Sequence, residues 1–419
     1  MHRRHFIATT ALTAIASTQG CVSKAPAAKK LSIVTAFDRE MDAFMSARNI
    51  PGGALAVVKD RRLVYARGYG WANRERQLRA TPDSLFRIAS LSKPITGVAI
   101  MKLIEDGRLS LDTKALSLLN LHPLVVFIRD PEPRLRDITI RQLLQHTGGW
   151  DRAKSIDPMF RSAQIARAAH TTPPATPENV IRYMLGRELD FEPGARYAYS
   201  NFGYCVLGRV IEKVTGERYE QFVREHVLAP AGITRMRLGK TLDGQQAPGE
   251  VRYYQEAMAN SVFPNTPEKV PWPYGGFALE PMDAHGGWIA SAIDLARFAA
   301  ALDDPLHSPL LKPDTFQIMY APPPPPASRT ANGSLEASYY GCGWSVRPVG
   351  QSGKANYWHN GSLPGTSSLL VRRADGLSWV ALFNHRSDDK DLPDTAIDPA
   401  LHRAAAAVDK WPKENLFVQ

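Results

Sequence analysis

Phe86-Arg87-Ile88-Ala89-Ser90-Leu91-Ser92-Lys93 sets a serine three residues before a lysine, where residues 90–105 begin to show apolar side chains at helical spacing. Residues three apart share one helix face, so Lys93 lies one turn from Ser90. A serine at a helix start is close to unpaired backbone N–H groups and the positive end of the helix dipole. A lysine beside it holds the hydroxyl or, as a free amine, accepts its proton. Ser-x-x-Lys arises by chance about once in a chain of this length, and a second copy exists at Ser387-Asp388-Asp389-Lys390. That copy sits in a charged stretch followed by Pro393, with no apolar periodicity after it, and reads as solvated loop. Context selects Ser90 as the candidate nucleophile and Lys93 as its partner.

Two further elements carry usable chemistry. In Tyr199-Ser200-Asn201 a phenol shuttles a proton from serine to leaving group, while a carboxamide hydrogen-bonds both lysine and a substrate amide. Asn201 also opens an expected helix over 201–214, closed by Gly216, and so reads equally as a plain N-cap. In His359-Asn360-Gly361-Ser362, placed just before an expected strand over 365–373, the glycine lets a substrate approach the backbone. The N–H of Ser362 then completes an oxyanion hole with that of Ser90. His146-Thr147-Gly148 looks alike, but it ends an expected helix over 138–145, and its glycine reads as a C-cap.

Working outward, residues 37–48 are helical in pattern. Runs 54–58 and 63–68 form an antiparallel hairpin across Lys59-Asp60-Arg61-Arg62. Helical stretches alternate with Pro/Gly-rich loops through the middle of the chain. Helices are expected at 219–228 and 291–302, and Pro322 to Pro326 reads as an exposed connector. Strand character returns at 339–346, 365–373 and 378–384, with Ala374-Asp375-Gly376 as a turn, before a last helix over 399–411. Strands at both ends predict an α/β (α+β) chain. One antiparallel sheet, from about 31–88 and 285–419, is flanked by N- and C-terminal helices, with a mostly helical insertion over about 89–284.

The 419 residues are 44% hydrophobic and 22% charged, a globular balance. The formal net charge is +10, to which Arg3 and Arg4 contribute. No Lys/Arg block is interleaved with aromatics, which argues against a nucleic-acid partner. His2-Arg3-Arg4-His5-Phe6-Ile7, followed by a small apolar run over 8–16, has the form of an export signal resembling the twin-arginine type, and residues 1–30 are set aside as signal and linker. Cleavage after Ala16 and lipidation of Cys21 both fit; lipidation would be the chain's sole tie to a membrane. The expected location is the periplasm. Cys205 and Cys342 read as buried thiols, and no Cys/His metal pattern, Walker loop, dinucleotide fingerprint or Gly-x-Ser-x-Gly elbow occurs, so neither metal nor cofactor is expected.

The order Ser-x-x-Lys, Tyr-Ser-Asn, His-x-Gly resembles the serine β-lactamase and penicillin-binding-protein superfamily, in its class C-like branch of esterases, D-amino-acid peptidases and β-lactamases. Residues 138–149, Gly286-Gly287-Trp288-Ile289-Ala290-Ser291 and Tyr340-Gly341-Cys342-Gly343-Trp344 resemble it too, and the likeness spans about 37–384. It implies a β-lactamase/transpeptidase-like fold and an acyl-enzyme on Ser90. Lys93 and Tyr199 share the acid and base work, Asn201 positions substrate, and the Ser90 and Ser362 amides bind the oxyanion. Segments 152–188 and 240–279 match no usable pattern and are expected to shape substrate access. Many penicillin-cleaving relatives carry lysine where this chain has His359. A histidine, mostly neutral above about pH 6.5, attracts a substrate carboxylate less, which favours small esters or amides over β-lactams. Other readings are a D-alanyl or D-amino-acid peptidase, a β-lactamase, a cell-wall-peptide binder without turnover, and a lipoprotein with a structural role resting on Cys21.

Overall fold

Every residue of the run 54–58 is apolar because both faces of its strand are covered. In the computed structural model, which describes residues 30–124, 132–350 and 353–418, this run lies within β1 (Gly52–Lys59). Ala54, Ala56 and Val58 point into one buried cluster, and Leu55 and Val57 into another. The hairpin partner is β2 (Arg62–Asn73), followed by a short β3 (Leu78–Arg79). The distant half of the sheet comprises β4 (Tyr339–Tyr340), β5 (Ser345–Val349), β6 (Lys354–Leu363), β7 (Thr366–Arg372) and β8 (Leu377–Phe383). The eight strands run in the order β3-β2-β1-β8-β7-β6-β5-β4, antiparallel throughout, with β1 joined to β8 across more than 300 residues of chain.

Helices α1 (Ile33–Ala47) and α5 (Ile397–Ala407) cover one face. Phe37, Met41, Phe44, Leu401 and Ala404 pack there against Leu55, Val57, Trp379 and Phe383. The start of α5 precedes Pro399, because proline is tolerated in a first helical turn. The other face is covered by α4 (Ala292–Leu302), opened by a Ser291–Asp294 capping box, and α2 (Ser92–Glu105) belongs to the same buried cluster. Helix α3 (Asn201–Thr215) ends where Gly216 adopts φ +79°, as the C-cap reading requires.

The run 339–346 was expected as one strand. It divides because Gly341 N–H bonds back to Trp344 O and Gly343 takes φ +93°, turning β4 onto β5. Cys205 and Cys342 are buried free thiols. The Arg3-Arg4 signal and Cys21 lie outside the described residues. Among the described residues, no helix is long and apolar enough to cross a membrane.

Candidate active site

Ser90 lies in a tight 3-10 turn, Ala89–Leu91, one step before α2 and not on its first residue. The turn is strained: Ala89 takes φ +50°, a left-handed conformation that costs an L-residue about 1–2 kcal/mol. Hydroxyls of β7 hold it in place, Thr366 donating to Arg87 O and Ser368 to Ile88 O, each at 2.8 Å. From behind, the buried Arg87 guanidinium donates to the carbonyls of Pro273, Lys240 and Thr241. Part of segment 240–279, expected to shape substrate access, therefore braces the nucleophile's backbone.

Lys93 is fully buried, and its Nζ has three partners: Ser90 Oγ at 3.2 Å, Asn201 Oδ1 at 2.8 Å and His285 O at 3.0 Å. The latter two only accept, so they use two N–H bonds, and the third position of the nitrogen faces the serine. Burial holds this amine well below the ordinary lysine range; the Asp157 charge opposes that shift and Arg152 adds to it. Once it has lost its proton, Lys93 presents this third position, as a lone pair, to the Ser90 hydroxyl.

Tyr199 stands beside Ser90 and Lys93, its ring centroid 4.7 Å from Lys93 Nζ. Burial pushes this phenol up, so it keeps its proton at neutral pH. The N-cap of α3 is Ser200, whose hydroxyl accepts from Gly203 N–H. That frees Asn201 from the capping role. Its Nδ2 donates to Asp157 Oδ2 at 2.7 Å, which fixes the amide with Oδ1 toward Lys93.

His359, Gly361 and Ser362 lie inside β6, not ahead of a strand. β5 pairs only with Lys354 to Trp358, so beyond that point the edge of β6 is open to the Ser90 turn. Gly361 is required for a different reason from substrate approach: a Cβ there would collide with Ile88 O and Ser368 Oγ. His359 is buried with both ring nitrogens used, Nδ1 with Asn360 O at 2.7 Å and Nε2 with Tyr340 Oη at 2.8 Å. Burial, then the Lys93 charge, push it down to about 3. The ring is neutral and bonded within the protein, so it offers substrate neither charge nor a spare nitrogen, contrary to its expected substrate-binding role. Ser90, Asn201 and Ser362 line one narrow cleft of about 60 Å³, together with Arg152 and His285. A larger cavity of about 690 Å³ beside Tyr320 and Tyr357 contains none of the motif residues.

The beta-lactamase family profile matches residues 37–403. This chain belongs to the beta-lactamase family. Its fold is shared with serine hydrolases of the β-lactamase and penicillin-binding-protein type, as the motif order implied. Protein flp of Staphylococcus aureus is 33% identical over 43% of the chain, a match spanning 34% of that protein's length. The putative penicillin-binding protein PbpX of Bacillus subtilis is 26% identical over 81% of the chain and 72% of its own length. Among solved structures, the octameric penicillin-binding protein homologue of Pyrococcus abyssi superposes with a TM-score of 0.68 at 25% identity, covering 91% of this chain and 79% of that one. The D-amino acid amidase of Ochrobactrum anthropi gives 0.66 at 21%, covering 90% and 98%.

Within this beta-lactamase-family site, four groups escaped sequence reasoning. His146, dismissed with its triplet as a helix end, is itself the left-handed residue (φ +56°), while Gly148 is not. Its carbonyl accepts from Ala198 N–H and its Nδ1 from Ser200 N–H, clamping the Tyr199 segment on both sides. Asp157, Arg152 and His285 come from loops without a pattern, so only the fold brings them together.

Proposed function

We propose that the protein is a hydrolase of small carboxylic esters and amides that works through an acyl-enzyme on Ser90. The observation that carries this reading is the hydrogen-bond valence of Lys93, with two acceptor-only partners and its remaining position on the serine. Ser90 Oγ attacks the carbonyl carbon and its proton passes to Lys93 Nζ. The oxyanion is held by the Ser90 and Ser362 amides. The proton then reaches the leaving group through Tyr199, the bond to that group breaks, and an acyl-serine remains. Water attacks the acyl carbon, giving its proton back along the same path, and the acid departs.

The choice of esters over β-lactams rests on His359, which is neutral where many penicillin-cleaving relatives have a lysine. EstCE1, described as a hydrolase with promiscuous acyltransferase activity, has the same fold, with a TM-score of 0.65 at 20% identity. The penicillin-binding names among the relatives favour a second reading, a protein acylated by penicillins without release. Both readings place the protein outside the cytoplasm, on the strength of its Arg3-Arg4 signal; N-terminal sequencing and lipid analysis of mature protein separate cleavage after Ala16 from lipidation of Cys21.

Purified protein and its Ser90→Ala variant, assayed on short-chain p-nitrophenyl esters, a chromogenic cephalosporin and D-alanyl peptides, test the proposal. The expected result is fastest turnover of the esters and a loss of at least ~10³-fold in the variant. Wild-type rates in the alanine variant would overturn the mechanism, and a stable penicillin adduct on Ser90 would favour the binder.

A further inference from the structure

The cleft contains a cation with no assigned task. Arg152, in the turn that follows Trp150, lines the cleft together with Ser90, Asn201 and Ser362. Its guanidinium sits 4.9 Å from the Tyr199 ring centroid and 3.9 Å from Asp157 Oδ2, beyond hydrogen-bond distance. Among the described residues it donates no hydrogen bond, and its side chain is 51% exposed.

Three neighbouring basic groups are already committed. Lys93 is buried with three partners, and His359 is neutral with both nitrogens bonded. Arg196 donates to Asp151 Oδ2 at 2.8 Å and lies over the Phe191 ring. Arg152 alone among these offers a planar fork of N–H donors to the space above Ser90, a geometry that matches a carboxylate with two parallel hydrogen bonds.

We propose that Arg152 selects acyl donors that carry a carboxylate, gripping it from the loop side of the cleft and not at the start of the third motif. The anion then enters from the side of Asn201 and Tyr199, while the scissile carbonyl lies toward Ser362. This rests on the acyl-serine reading above and names its substrate class. The carboxylate belongs either to the acyl chain or to the leaving group, and matched esters separate the two.

The test compares kcat/KM for three esters: p-nitrophenyl butyrate (neutral), p-nitrophenyl hemisuccinate (carboxylate on the acyl chain) and 3-carboxy-4-nitrophenyl butyrate (carboxylate on the leaving group). Wild type, Arg152→Gln and Arg152→Lys are assayed at low and high salt. For at least one anionic ester, the preference over the neutral one should fall ~10- to 100-fold in Arg152→Gln, chiefly through KM. Arg152→Lys should restore part of it, and wild-type preference should shrink as salt is raised. An anionic-to-neutral ratio in Arg152→Gln within about twofold of wild type for both anionic esters would overturn the proposal, because a purely structural role lowers all three rates together. Failure of all three esters to acylate Ser90 in wild-type protein would instead refute the acyl-serine reading, and this proposal with it.

Discussion

Ser90-Leu91-Ser92-Lys93 and Ser387-Asp388-Asp389-Lys390 share one sequence pattern in opposite surroundings. Around the first, a strained turn stapled to β7 presents the serine, and a fully buried lysine points at it from the next helical turn. Around the second there is loop: Ser387 Oγ accepts from Asp389 N–H at 3.3 Å, Ser387 N–H bonds the Asp394 carboxylate, and Lys390 is exposed. The difference lies in water. A lysine becomes a base when the fold removes its solvent and supplies acceptors for two of its three N–H positions, and the pattern alone specifies neither.

The sharpest way to break this contrast is to remove the buried amine. Lys93→Met keeps the bulk and should lower acylation by ~10²- to 10⁴-fold, the usual worth of a positioned general base. The pH profile gives the sign. Because burial lowers the Lys93 pKa, wild-type acylation should rise with pH as the ammonium loses its proton, and level off well below the ~10.4 of an ordinary lysine. Stopped-flow acylation from pH 5 to 10 should show that limb in wild type and not in Lys93→Met.

A smaller effect is expected from disturbing the turn while leaving its chemistry intact. Gly361→Ala drives a methyl group into the Ile88 carbonyl and Ser368 Oγ, and should cost ~1–3 kcal/mol of stability, seen as a lowered melting temperature, with slower acylation of Ser90. The smallest effect belongs to the other copy. The Ser387→Ala, Lys390→Ala double variant should match wild type within about twofold in kcat/KM, since exposed surface changes fall within about ±0.5 kcal/mol.

Legibility in the sequence followed locality. Periodicity was enough for α1, the β1–β2 hairpin and α3 with its Gly216 stop, because each is set by its own residues. The split between β4 and β5 was not readable, since it depends on a tertiary bond, Cys342 N–H to Met319 O, as well as on Gly343. In the site, the structure sets Lys93 against Ser90 and Asn201, with Tyr199 and Ser362 close by. The role of His359 needed the structure, because its neutrality comes from burial and from the Lys93 charge, and its Nε2 is taken by Tyr340, 19 residues away. Asp157 and Arg152 had no periodic signal at all, lying on a loop whose place is fixed by contacts such as the Asn201–Asp157 hydrogen bond. His146 had a signal that was read as helix termination, and it does both jobs at once.

The most direct measurement is to trap the acyl group and find its residue. Wild-type protein, Ser90→Ala and Ser387→Ala are treated with a fluorophosphonate, digested and read by mass spectrometry. A single adduct on the Ser90 peptide, lost in Ser90→Ala and retained in Ser387→Ala, is the predicted result. A stoichiometric adduct on any other serine, or undiminished labelling of Ser90→Ala, would contradict the account.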